Sequence, residues 1–102
     1  MISRIKAVQI PPQVKKKAAE RDSFDGHPCC ILCGSPHGVP EAHIIPRSQN
    51  GLGIEENIVT LCRKCHRDYD QSDRRDEIRA ELIHYIKSKY PDWSIEKVTY
   101  RK

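Results

Sequence analysis

The clearest periodicity in the chain lies in its last third. From Asp73 to Tyr90 apolar residues fall at Ile78, Leu82, Ile83, Tyr85, Ile86 and Tyr90. That three- and four-residue spacing predicts a helix with one buried stripe. Ser72 or Asp73 is placed to cap its start and Pro91 to end it. Upstream, "IPPQVKKKAAERD" predicts a helix that begins near Pro12, where a missing N–H costs nothing, and ends by Ser23. Between the two helices the pattern shortens. "EAHII" (Glu41–Ile45) reads as a strand stopped by Pro46, and the β-branched run "NIVTL" (Asn57–Leu61) as a second strand. The "PRSQNGLGIEE" between them reads as a loop with Gly51 and Gly53 as turn residues. "RKCHRDYD" (Arg63–Asp70) predicts a short helix, and "CCILCGSPHG" a tight turn. Residues 1–11 read as an extended or poorly ordered arm, and Val98–Tyr100 as a short final strand. The expected order around the middle of the chain is strand, loop, strand, helix, in one domain of the α+β class over residues 1–102.

Composition sharpens this in one respect. Apolar residues are 37% of 102 and charged residues 31%, so the core is expected to be thin. A domain of this size with a thin core needs a staple, by disulfide or metal. No apolar run is long enough to span a bilayer, and "MISRIKAVQIPP" lacks the apolar region of a secretory signal. The reading is therefore cytoplasmic, where paired cysteines more often hold a metal than a disulfide. The net charge of +4 permits a polyanionic partner without demanding one. The run Lys15–Lys17 and the group Arg63, Lys64, Arg67 are, taken alone, solvated helix faces.

The five cysteines decide what the staple is. Cys30 and Cys33 form one CxxC, Cys62 and Cys65 another. A two-residue gap turns both thiolates of a knuckle toward one ion, and two knuckles complete a tetrahedral zinc shell. The 28 residues between Cys33 and Cys62 exceed the spacing of a simple zinc ribbon, so a structural unit is inserted between the knuckles. Cys29 is left over as a bystander thiol. His37 is an alternative ligand, but four cysteines already fill the shell. His27 and His84 read as ordinary histidines. "CRKCH" also has the form of a c-type haem attachment sequence. That reading requires export in most organisms and leaves Cys30 and Cys33 without a role, so no haem is expected.

The inserted stretch carries His43 and Asn57, and His66 follows the second knuckle. With "CILCG", "EAHIIPRSQNGLGIEENIVTLC" and "CRKCH", residues from about Cys30 to Asp70 resemble the HNH family of nucleases. The resemblance implies a ββα-metal core at residues 30–70, flanked by the N-terminal helix and by the long helix over 73–90. It gives His43 the role of general base and makes Asn57 a brace of the loop. His66 becomes a ligand of a catalytic divalent ion, Mg2+, Mn2+, Ni2+ or Zn2+, separate from the structural Zn2+. Many members carry Asp or His directly before the base as a further ligand, and this chain has Ala42. Asp70, four residues after His66 on a helix, and Glu41, two residues before His43 on a strand, are the candidates to replace it.

The function so implied is metal-dependent hydrolysis of DNA phosphodiester bonds with low sequence specificity. Arg47, Arg63, Lys64 and Arg67 would hold phosphates beside the cut, contacts that position a backbone without reading bases. Small phage members lie beside packaging genes, so the resemblance points to a bacterial or phage-infected cell and to phage terminase subunits as partners. A non-catalytic zinc module that binds DNA or protein stays open as the alternative, with Ala42 its best support.

Overall fold

The computed structural model describes residues 3–101; Met1, Ile2 and Lys102, the extremes of the expected arm and tail, lie outside the described residues. The fold is α+β as expected. Helix α1 (Arg4–Val8) and α2 (Pro12–Arg21) lead into a short hairpin of β1 (Ser23–Phe24) and β2 (His27–Pro28). Then come β3 (Val39–His43), a 3-10 turn at Arg47–Gln49, β4 (Ile58–Leu61), α3 (Arg63–Gln71), α4 (Arg75–Lys89) and a 3-10 turn at Glu96–Val98. Strands β3 and β4 pair antiparallel and α3 follows, so the ββα unit stands where the pattern put it. Helix α2 packs on both strands, and α3 packs on α4 and β4.

Several expectations need correction. The arm is not extended. Ser3 accepts the Lys6 N–H at 3.3 Å and starts a one-turn helix, and Val8 at its end is buried. The first strand runs over Val39–His43 rather than 41–45. The register slips between Val39↔Leu61 and Ala42↔Val59, a bulge that tolerates the missing N–H of Pro40. Past His43 the Ile44 N–H still donates to the Asn57 backbone carbonyl at 2.8 Å, and the pairing ends at Ile45, whose backbone is taken up by the Asn57 side chain. Val98 ends a 3-10 turn, and only Thr99 makes a bridge, to Gly51. Helix α4 begins at Arg75 without a side-chain cap; Ser72 Oγ instead accepts the Arg74 N–H at 3.1 Å.

The core is one cluster running from Cys30 to Val98, with Ala42, Ile44 and Val59 in its middle. Ile78, Leu82 and Ile86 supply the buried stripe of α4. Helix α2 is fastened by Arg21. Its guanidinium donates to the carbonyls of Ile58 (2.6 Å) and Glu55 (2.7 Å) and pairs with Asp22. Asp22 in turn accepts the Thr60 N–H at 2.9 Å and the Tyr85 hydroxyl. No helix among the described residues is long and apolar enough to cross a membrane.

Candidate active site and metal centre

The cysteine knuckles are built by turn chemistry. Gly34, at φ +80°, reverses the chain after Cys33, and its N–H donates to the Cys30 carbonyl at 2.8 Å. Cys62 stands at the N-terminal cap of α3, and its Sγ accepts the Cys65 N–H at 3.5 Å. The ligand atoms of Cys30, Cys33, Cys62 and Cys65 all lie within 4.8 Å of one another, with Cys33 and Cys62 sulfurs 3.7 Å apart. A tetrahedral zinc shell with Zn–S bonds of about 2.3 Å sets its sulfurs about 3.8 Å apart, so the donor set fits that ion.

The thiol electrostatics point the same way. Burial and the neighbouring Cys62, Cys30 and Cys33 thiols push Cys65 far up. Burial opposes ionisation of Cys30 as well, but the backbone N–H groups of Cys62, Cys33 and Leu32 outweigh it and pull Cys30 down to about 7. Thiols packed this closely cannot all ionise beside one another, and a bound cation removes the conflict.

His43, at the end of β3, and His66, on α3, open into one cleft of about 670 Å³, together with Glu41, Arg47 and Asp70. The resemblance brought these residues together on paper, and the fold brings them together in space. His66 Nε2 and Asp70 Oδ2 are 3.6 Å apart, one helical turn on one face. Two ligands on one divalent ion, each bonded at about 2.1 Å, stand roughly 3.0–3.4 Å apart, so the pair fits an ion after a small adjustment. Glu41 is differently engaged, its carboxylate 3.2 Å from Lys15 Nζ. Among the described residues, His66, Asp70 and Glu41 do not form a convergent group of three donors as the cysteines do. Ala42 is fully buried in the core cluster, so position 42 contributes packing.

Asn57 lies beneath the cleft, fully buried. Its Oδ1 accepts the Ile45 N–H at 2.9 Å, and its Nδ2 donates to the carbonyls of Leu52 (2.9 Å) and Ile45 (3.2 Å). It thus ties the loop between β3 and β4 to the strand end that carries His43. Tyr69 makes the corresponding tie from α3, its hydroxyl donating to the Ile44 carbonyl. Two buried polar side chains thus tie the segment that follows His43, Asn57 to the loop and Tyr69 to the helix that carries His66.

Sequence reasoning missed the N-terminal contribution. His43 Nε2 lies 2.9 Å from the Val8 carbonyl. A carbonyl only accepts, so Nε2 carries the hydrogen and Nδ1 of the neutral ring keeps its lone pair. Burial, with Arg47 and His66 nearby, holds the His43 pKa below its ordinary value, although the Val8 bond works against this. Lys15, from the run read as a solvated face, lines the cleft. Among the other cations, Arg63 shares the α3 face of His66 by helical spacing, Arg67 as the next residue does not, and neither lines the cleft. Lys64 sits beside Cys33 and Cys65 in a separate depression on the cysteine side. The apolar Ile5 and Val8 after Ser3 were the local signal for α1; for Lys15 there was none.

Residues 30–72 match the family model described as HNH endonuclease. The matched segment begins at the first knuckle and ends just past α3. No curated protein matches the chain.

Proposed function

We propose, from the premise that residues 30–72 belong to the HNH endonuclease family, that the protein is a metal-dependent DNA endonuclease acting through the His43–His66 cleft. The observation that carries this reading is the convergence in one cleft of a neutral histidine with a fixed tautomer, a His–Asp pair spaced for a divalent ion, and the cations Lys15 and Arg47.

In this mechanism Nδ1 of His43 takes a proton from a water, and the resulting hydroxide attacks phosphorus. The bond to the 3′ oxygen breaks, leaving a 5′-phosphate, and the departing oxygen becomes a 3′-hydroxyl by taking up a proton from solvent. A neutral imidazole near its pKa suits the first step. His66 and Asp70 would hold the divalent ion, Mg2+, Mn2+, Ni2+ or Zn2+. That ion supplies Lewis-acid stabilisation of the charge that develops on the phosphate. Asn57 keeps the strand end and loop in place and does not react. Zn2+ on Cys30, Cys33, Cys62 and Cys65 is structural. Lys15 and Arg47 in the cleft, with Arg63 on the His66 face of α3 and Arg67 and Lys64 elsewhere on that helix, would hold the backbone; such contacts favour no particular sequence. A phage packaging setting and a terminase partner rest on the resemblance, and no surface feature adds to them.

The alternative is a zinc module that binds DNA without cutting it. Its support is the buried Ala42, which leaves His66 and Asp70 as the protein ligands of the second ion. Incubating a radiolabelled duplex with each divalent ion, then mapping the ends, separates the two. The nuclease reading predicts metal-dependent products with 5′-phosphates; retention of the duplex without products under every ion supports the alternative.

A further inference from the structure

We infer that residues 4–10, upstream of the matched segment, are a working part of the active site, and that the Val8 carbonyl is the positioning group that fixes the tautomer of His43. This rests on the nuclease reading of the same cleft.

The arm is not laid over the site by one contact. The Ala7 carbonyl accepts the Gly53 N–H at 3.0 Å. Arg4 donates through Nη2 to the Arg47 carbonyl at 2.8 Å, and through Nε to Asn50 Oδ1. Val8 is 2% exposed. These contacts pin the arm to the loop between β3 and β4, the same loop that Asn57 braces from below. Gln9 and Ile10 then continue as a wall of the cleft.

Gly53 gives an independent mark of the same arrangement. It is not among the residues with positive φ, so its backbone conformation does not call for glycine. Space does: a Cβ there would stand 1.8 Å from the Gln9 carbonyl oxygen. The loop carries a glycine where the arm passes, and the arm passes where its Val8 carbonyl meets His43. A base whose Nε2–H is held by a carbonyl presents Nδ1 to the water. Once the carbonyl is withdrawn, the proton exchanges between the two nitrogens and the ring turns.

The test uses Gly53→Ala in the full, zinc-loaded chain, with two readouts. Two-bond proton–nitrogen NMR of the imidazoles, with His43 assigned by its loss in His43→Ala, is recorded where the ring is neutral. The expectation is an Nε2–H tautomer in the wild type and a mixture in Gly53→Ala. In metal-dependent plasmid nicking, kcat falls by about 100-fold, the cost of misplacing a reacting group by about an ångström, while KM for DNA changes little. An Nδ1–H tautomer in the wild type overturns the proposal, as does an unchanged kcat in a folded Gly53→Ala. If Gly53→Ala does not fold, Arg4→Ala takes its place. Arg4 is exposed, and its removal takes away two of the contacts that pin the arm, those to the Arg47 carbonyl and to Asn50, without touching the core. A folded Arg4→Ala with wild-type tautomer and kcat then counts as refutation. A wild type that cuts no DNA refutes the nuclease reading instead, and the NMR result still decides whether the carbonyl holds the ring.

Discussion

Asn57 carries more of the site's geometry than its chemistry would suggest. Its single amide satisfies the N–H and carbonyl of Ile45 and the carbonyl of Leu52 with no solvent to replace it. Each buried polar group left without a partner costs about 1–3 kcal/mol. Asn57→Ala is therefore expected to lose at least about 3 kcal/mol of unfolding free energy in urea titration, and Asn57→Asp at least as much, since it turns a buried carboxylate toward the Ile45 and Leu52 carbonyls that the amide NH2 had bonded. At His43 the expectation concerns pH. Only the neutral ring accepts a proton, and burial lowers its pKa. The acid limb of kcat should therefore lie below the ordinary imidazole value of about 6.5, and the rate should be level above it. A limb above that value in a pH–rate profile contradicts the burial argument. The four-cysteine cluster was legible because two local CxxC spacings fix it, and the motif order placed His43 and Asn57 near each other, where the fold has them. Val8 and Lys15 were not legible: each reaches the site across the tertiary fold, to His43 and to Glu41, and local spacing within their own helices says nothing of those long-range partners. Gly51 and Gly53 were read as turn residues, yet neither has positive φ. A Cβ on Gly51 would meet the Ile45 carbonyl oxygen at 1.7 Å, so both glycines serve close approach of backbone to backbone.

At the scale of elements, α2 packs on both strands and α3 on β4. The Arg21–Asp22 pair joins α2 to β4, with the Arg21 side chain 10% exposed and that of Asp22 not at all. Removing one partner of such a pair leaves the other charge buried, a loss of about 3–5 kcal/mol. Arg21→Ala should show a loss of that size in denaturant unfolding; a change below about 1 kcal/mol would mean that water enters and replaces the guanidinium. Helix α3 is tied by Tyr69 to the Ile44 carbonyl, and Arg79 donates to the same hydroxyl at 3.0 Å. The stripe of α4 was plain in the sequence because fifteen helical residues repeat the pattern several times. The hairpin of β1 and β2 was not, since two residues per strand repeat nothing. Its signal was the dipeptide Asp25-Gly26, both residues at positive φ, the preferred turn of a two-residue hairpin.

For the whole molecule, the metal frame and the thin core are one matter. The cysteine cluster joins the knuckle before β3 to the start of α3, and Cys30 and Cys62 are themselves core residues. Zinc binding is then folding free energy. The purified protein should hold about one zinc per chain by elemental analysis, and a strong chelator or Cys65→Ser should abolish its cooperative unfolding transition. A metal-free chain with an unchanged transition contradicts this. In the proposed function, the fold as a whole serves to hold His43 and His66 across a cleft whose walls come from the matched segment and from the arm before it.

The most direct test of that claim compares zinc-loaded wild type with His43→Ala on supercoiled plasmid, in the presence of Mg2+, Mn2+ or Ni2+. The account predicts metal-dependent nicking by the wild type and none by His43→Ala, although the variant keeps its zinc and its unfolding transition. Equal nicking by the two proteins, or no nicking by the wild type with any of the three ions, would contradict it.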